Sequence, residues 1–256
     1  MITEIIGNST LILGDCLEVL PIFSDNFAHW AVTSPPYNLN KLHSGHSNKE
    51  KQSEQSARME DKYDEWYADE LEESVYQAQQ KEVITELMRV CSESIFYNHR
   101  IRYAWHNRNK NPPKSKIYHP LMWLQDFPIW SELIWDRAGG GLPHGRHPLA
   151  HEYIYQIKKP SRIKDVGGMT SVLRISPVKN SLHVCPFPTK LVKSCLSPWY
   201  KEGDIVIDPF MGAATVGVIC QQLNMNFIGI EKDPKIFEGA CINIEQNYKY
   251  RNMVNT

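Results

Sequence analysis

Residues 204–231 constrain the fold of this chain more than any other stretch, because they spell out a complete supersecondary unit. Asp204-Ile205-Val206-Ile207 is a short apolar run of the kind that forms a buried strand, and it stops at Asp208-Pro209-Phe210. Met211-Gly212-Ala213-Ala214 is a turn of mostly small residues. Thr215 to Leu223 then carries Val216, Val218, Ile219 and Leu223 as the packing positions of a helix. Asn226-Phe227-Ile228-Gly229-Ile230 is a second strand, ending in Glu231. Strand, turn, helix and strand close into a right-handed βαβ unit, which requires a parallel sheet. An acid roughly twenty residues after the turn suits a carboxylate that grips ribose hydroxyls. The small residues leave room for a ligand at the helix N-terminus, where free N–H groups favour a carboxylate or phosphate. The unit therefore reads as a site for a nucleoside-containing ligand.

A second stretch is stiff for a different reason. The apolar run Phe27-Ala28-His29-Trp30-Ala31-Val32 ends in Thr33-Ser34-Pro35-Pro36-Tyr37. Proline after Ser34 pushes that residue into extended backbone, and the two prolines fix φ and supply no N–H. The segment thus offers carbonyl acceptors without matching donors, with a flat ring just beyond. One reading is a proline-rich turn capping a strand. The other is a holder for a planar ring bearing an amino group, whose protons the oxygens accept while Tyr37 stacks.

The remaining elements fall around these two. Thr10-Leu11-Ile12-Leu13 reads as a strand ending at Gly14-Asp15, and Cys16 to Leu20 as a helical turn. Asp15 fits either a cap for that turn or a carboxylate at the edge of a cleft, where open α/β sheets bind ligands. Asn38 to Ser56 is polar and aperiodic, a long loop carrying Lys41, Lys49 and Lys51. Met59 to Arg89 has helical spacing, with Glu70, Glu72 and Glu73 expected on the wet side and Val83, Leu87 and Val90 toward the core. Ser94 to Asn98 is a further strand. Between Arg100 and Lys116 lie Arg100, Arg102, Arg108, Lys110, Lys114 and Lys116 with no acid among them, interleaved with Tyr103, Trp105 and His106. Such a run is either a solvated face or a phosphate-contacting loop. Trp130 to Trp135 is a strand that runs into Asp136-Arg137-Ala138-Gly139-Gly140-Gly141, and the loop continues past Arg146 to His147. His151 to Ile157 alternates and is expected to pair antiparallel with the preceding strand. His144, His147 and His151 match no zinc spacing, since Pro143 and Pro148 break any helix that would align them; no metal is expected.

The chain has 256 residues, 42% hydrophobic, with a formal net charge of -1, so a nucleic-acid surface would have to be local. Its six cysteines contain no CxxC pair, which fits reduced thiols. No signal segment or membrane span is evident, and a soluble, cytoplasmic protein is expected.

Taken together the motifs resemble those of the permuted, or beta-group, exocyclic-amino DNA methyltransferases, in which the catalytic motif precedes the S-adenosylmethionine-binding motif. The resemblance covers nearly the whole chain. It implies an α/β, Rossmann-like fold with a mixed, mostly parallel sheet and helices on both faces, in one domain over residues 1–256. By the same resemblance Ser34, Pro35, Pro36 and Tyr37 are catalytic. Asp208, Pro209, Phe210, Gly212 and Thr215 form the cofactor loop with Thr33 beside it, Glu231 is the ribose acid, and Asp15 the acid near the adenine. His183 to Pro188 followed by Lys190 is similar to the segment completing the methionine side of the pocket, which assigns Phe187, Pro188 and Lys190 to the cofactor. The family loop commonly has Ser and Gly where this chain has Ala213 and Ala214. Because the region from Lys158 to Leu173 is short, DNA contacts are expected from residues 38–80, 100–118 and 137–150, through Lys41, Arg100, Arg102, Arg108, Lys110, Arg137 and Arg146. The implied activity is methyl transfer to an exocyclic amino group in double-stranded DNA. Serine at position 34 inclines toward cytosine N4, with adenine N6 the alternative. A homodimer and a cognate restriction endonuclease are compatible partners. A DNA-binding protein of this fold without activity, a nucleotide-dependent oxidoreductase and an RNA substrate are the rival readings.

Overall fold

The computed structural model describes residues 1–39, 71–106, 114–139, 147, 149–162, 169–177 and 187–254. Eleven strands are present among them: β1 (Ile2–Ile6), β2 (Ser9–Leu13), β3 (Trp30–Thr33), β4 (Ile95–His99), β5 (Arg102–His106), β6 (Lys114–Tyr118), β7 (Ile129–Asp136), β8 (His151–Ile157), β9 (Val172–Arg174), β10 (Ile205–Asp208) and β11 (Asn226–Glu231). The helices are α1 (Cys16–Val19), α2 (Glu73–Val90), α3 (Leu121–Leu124), α4 (Thr189–Leu196), α5 (Thr215–Gln222) and α6 (Pro234–Val254).

Nine strands form one sheet in the order β1-β2-β11-β10-β3-β4-β8-β7-β9. Its centre, from β2 to β4, is parallel throughout. The expected antiparallel pairing of β7 with β8 is present, and β8 also pairs antiparallel with β4. The chain lays β3 and β4 toward one side and returns late to insert β10 and β11 between β2 and β3. Strand order therefore reverses at the β3–β10 boundary, and ligands of open α/β sheets bind at such a switch point.

Alternation along the buried strands feeds two apolar layers. Trp30, Val32, Val206 and Phe227 pack with α4, α5 and α6 on one face. Ala31, Ile207, Ile228, Ile95 and Tyr97 pack with α1, α2 and α3 on the other. Close approach of α5 to the sheet depends on Gly217, where an added Cβ would lie 2.6 Å from the Phe227 ring.

Two expectations change, on the basic segment and on Glu73. The basic segment after Arg100 is not simply a loop, because β5 and β6 pair antiparallel as a two-stranded ribbon apart from the main sheet. Of the helix expected from Met59, residues 59–70 lie outside the described residues, and the described helix begins at Glu73. There Glu72 caps it by accepting from the Ser74 and Val75 N–H groups, and Glu73 turns inward to an ion pair rather than lying on the wet side. The helix α6 follows β11; Asp233 caps it by accepting from Lys235 and Ile236 N–H, and Pro234 opens it. Among the described residues no helix is long and apolar enough to cross a membrane.

Candidate functional site

The carboxyl ends of the five parallel strands bring the two motifs of the sequence together. Thr33, the last residue of β3, is buried and donates its hydroxyl to Asp208 Oδ1 at 2.8 Å. Asp208 ends β10 and is also buried, and the same oxygen accepts from the Phe210 N–H at 3.1 Å, which sets the turn. Burial pushes the Asp208 carboxyl up to about 7, against the Thr33 and Phe210 hydrogen bonds and aided by the nearby Glu231 charge. Pro209 is buried and Phe210 half-buried behind it.

The loop that follows is tightly wound. Gly212 has φ of 49° and Ala214 φ of 57°, so both occupy the left-handed region. Glu231, at the end of β11, ties the loop down: one oxygen accepts from Gly212 N–H at 3.1 Å, the other from Lys232 and Asp233 N–H at 2.9 Å each. Burial raises the Glu231 carboxyl above its ordinary range despite these donors. From α6, Asn243 donates to the Ala213 carbonyl at 2.7 Å. Thr215 begins α5, half-buried, directly after the loop. Asp15 both caps α1 through Leu17 N–H and accepts from Lys232 Nζ at 2.8 Å. Its carboxyl, although raised by burial, is brought below the usual range by those two donors. Phe187 lies edge-on to Trp135, Pro188 caps α4 from a buried position, and Lys190 is exposed on that helix.

The proline turn is held from both sides. The Tyr37 hydroxyl turns inward to a cluster of oxygens: Ser34 Oγ at 2.9 Å, Asn98 Oδ1 at 2.6 Å and Glu152 Oε2 at 3.0 Å. Ser34 also donates to Asn98 Oδ1 at 3.1 Å. Burial, and then the Glu152 charge, hold the Tyr37 phenol well above its ordinary range, so it stays a donor. On the opposite side the Pro36 carbonyl accepts from the Tyr76 hydroxyl at 2.9 Å. The Tyr76 hydroxyl also lies 2.6 Å from His99 Nε2, and His99 Nδ1 lies 2.9 Å from both the N–H and the carbonyl of Arg100. Burial and the Arg102 charge keep that imidazole neutral. The His99 ring in turn lies 4.7 Å from the Tyr37 ring. Pro35 is buried within this frame.

The basic residues divide. Arg100 is half-buried, and its charge is felt at Tyr37. Arg102 is turned into the protein, contrary to the expectation of a DNA contact. Its guanidinium is buried, grips Glu73 at 2.7 and 2.6 Å, and lies over the Tyr76 ring. The reason lies in the packing: β5 starts against α2, and an arginine facing that way needs an acid. Arg137, half-buried, pairs with Glu152 at 2.9 Å and so joins the Tyr37 cluster. Lys41, Lys49, Lys51, Arg108, Lys110, Arg146 and His144 lie outside the described residues.

Several site residues carry no motif. Asn98 and His99 end β4, and two polar residues closing an apolar strand were the available signal. Glu152 shares the inward parity of Ile154 and Gln156 on β8, which places an acid on a buried face. Tyr76, Lys232 and Asn243 left no signal that separates them from ordinary helix and loop residues.

A family model described as DNA methylase matches residues 28–242. Among curated proteins the chain is 30% identical over 127 residues to the type II methyltransferase M.Cfr9I of Citrobacter freundii, a match covering 43% of this chain and 42% of that one. The chain spans less than half the length of the curated relatives it matches first, 42% and 40%. Among solved structures, the cytosine-N4-specific PvuII DNA methyltransferase superposes with a TM-score of 0.68 at 18% identity, over 95% of this chain and 92% of its own. A protein of Thermus thermophilus described as a DNA modification methylase, complexed with S-adenosyl-L-methionine, gives 0.65 at 17% identity over 93% of each. At such identities the superpositions establish the shared Rossmann-like fold.

Proposed function

The chain belongs to the DNA methylase family, and on that premise we propose that it transfers a methyl group from S-adenosylmethionine to the exocyclic amino nitrogen of a base flipped out of DNA, cytosine N4 ahead of adenine N6. The observation that carries this reading is the 2.8 Å bond from Thr33 to Asp208. It fastens the proline turn to the βαβ loop, so a nucleoside on the loop and a base on the turn share one crevice.

The residues fit such a cofactor. Asp208 and Glu231 end neighbouring strands as two acids, suited to ribose hydroxyls and to the cationic part of the ligand, and Asp15 borders them through Lys232. Phe187, Pro188 and Lys190, with Thr215 at the start of α5, would complete its methionine side. When bound, S-adenosylmethionine supplies a methyl group already activated on a sulfonium. What remains for the chain is positioning, a large source of rate acceleration once the reacting atoms are aligned. Ser34 Oγ and the Pro35 carbonyl accept the amino protons and orient the nitrogen lone pair. Flipping the base costs a few kcal/mol; stacking on Tyr37, worth ~1–3 kcal/mol, offsets part of it.

Double-stranded DNA is the macromolecular substrate in this reading. A two-stranded ribbon is narrow enough for the major groove, which gives β5–β6, with Lys116 exposed on it, a natural docking role beside Arg100. Lys41, Arg108, Lys110 and Arg146 join the proposed phosphate contacts. Action in the cytoplasm within a single domain, together with a cognate endonuclease, completes the reading; a homodimer is compatible with it.

Incubation with labelled S-adenosylmethionine and mixed-sequence DNA, digestion to nucleosides and mass identification test it. N4-methylcytosine is expected. N6-methyladenine would move the assignment to the alternative base. DNA retention without label in any base would leave an inactive DNA-binding protein instead.

A further inference from the structure

The oxygen cluster around the Tyr37 hydroxyl has more acceptors than protons. Ser34 and Tyr37 bring one proton each. Facing them are Asn98 Oδ1 and Glu152 Oε2, besides their own oxygens. Neither outer group can turn away. The Asn98 amide donates to the Tyr153 carbonyl at 2.9 Å, which fixes its oxygen toward the cluster. The buried Glu152 carboxylate is gripped through its other oxygen by Arg137 at 2.9 Å, leaving Oε2 for the cluster. A surplus of fixed acceptors suits a group that brings two N–H donors, and it disfavours a keto oxygen, which would meet the carboxylate with no proton between them.

We propose that Glu152, held in place by Arg137, is the carboxylate that receives the exocyclic amino group of the target base, so that the acid of this site comes from β8 and not from the proline turn. The inference rests on the methyl-transfer reading above. Ser34 supplies a hydroxyl that is a weaker acceptor than a carboxylate. Among the described residues Glu152 is the carboxylate that bonds this cluster. The Tyr37 phenol occupies the position that one amino N–H would take. As the base enters, that hydroxyl withdraws and its ring is released to stack. Glu152 then takes, in place of Ser34 Oγ, one of the two amino protons, the Pro35 carbonyl keeping the other, and selects amino-bearing bases, while Arg137 acts through Glu152 as a positioning residue.

The test compares the parent with E152Q and E152D, using mixed-sequence DNA and labelled S-adenosylmethionine. Cofactor affinity by titration and melting temperature are read in parallel. E152Q is expected to bind cofactor as the parent does and to lose about tenfold to a hundredfold in kcat, the scale of one charge-assisted hydrogen bond. E152D keeps a partner for Arg137 but withdraws the oxygens by one methylene. It is expected to melt near the parent temperature and still lose most of its kcat, with little change in the KM for cofactor. Parent-level kcat in a folded E152Q, or in E152D, overturns the proposal while leaving the methyl-transfer reading intact. A parent that labels no base overturns both.

Discussion

Thr33 and Asp208 are 175 positions apart in the chain, and their side chains meet at 2.8 Å where β3 and β10 end side by side. The bond is buried, so neither group can trade it for water without leaving the other unsatisfied. It couples the proline turn to the cofactor-type loop and makes the charge of Asp208 a property of the whole crevice.

A first consequence concerns stability and pH. The Asp208 carboxyl stands at about 7 in the folded protein against an ordinary value of 3.8. Between those values the folded state holds a proton that the unfolded chain has released. This residue's contribution to stability therefore falls as pH rises through that window and is fully lost above about pH 7. Replacing Asp208 by Asn keeps the acceptor for Thr33 and removes the titration. D208N should gain stability relative to the parent at pH 8 compared with pH 5, on the order of 2–4 kcal/mol, read as a higher melting temperature. Parallel melting curves of the two proteins across that range would rule this out.

Cofactor affinity should run the opposite way with pH. A cofactor bearing net positive charge, bound across Asp208 and Glu231, would favour their ionised forms, whereas burial holds both carboxyls up in the free protein. Binding then expels protons at neutral pH, and affinity for S-adenosylmethionine climbs from about pH 6 to about pH 8 before levelling off. Calorimetric titrations in buffers of different ionisation enthalpy would expose the released protons. A heat independent of buffer would contradict the expectation.

The loop itself carries strain at Ala214, which is buried with φ of 57° and ψ of 35°. An L-residue there costs about 1–2 kcal/mol, and glycine's greater freedom in the unfolded chain returns about 0.5–1 kcal/mol of that. A214G should therefore stabilise the protein by up to about 1 kcal/mol, seen as a higher denaturant midpoint at unchanged m-value. A lower midpoint would mean that the Ala214 methyl contributes more by packing than its backbone costs.

Tyr37 is the most direct probe of the chemistry. Its ring lies against His99 and its hydroxyl in the oxygen cluster, while the Asp208–Glu231 loop is held by separate bonds. Tyr37→Ala should leave cofactor titration nearly unchanged and reduce methyl transfer roughly tenfold to a hundredfold, the equivalent of a lost base stack. Equal losses in both measurements would show that the turn and the loop are not separable functions.

How much of this was legible in the sequence depends on whether a feature is local. The βαβ unit and the proline turn are local, and each reads from its own apolar periodicity and turn residues. Asp233-Pro234 was an equally local start signal for α6, although no helix was expected there. The Thr33–Asp208 bond and the Glu152–Arg137 pair were not legible, because each depends on which strands become neighbours in a sheet whose order departs from chain order. Arg102 misled for a related reason. Six like charges resemble an electrostatic surface, yet the nearest acid to Arg102 in space is Glu73, on a helix that precedes it by a whole strand.

That pair can be tested against the phosphate role expected of Arg102. Its guanidinium is 4% exposed and grips both Glu73 oxygens. Removing one partner of a buried ion pair typically costs about 3–5 kcal/mol, since the other charge is stranded. R102M should lose stability on that scale, and R102M/E73Q should recover much of it because no lone charge remains. In protein that stays folded, the salt dependence of DNA binding should match the parent's. A phosphate contact would do the reverse, lowering the slope of log affinity against log salt by about one unit with little change in melting. The two roles thus separate in one pair of measurements, because a guanidinium buried against Glu73 is already neutralised by that carboxylate and reaches no phosphate.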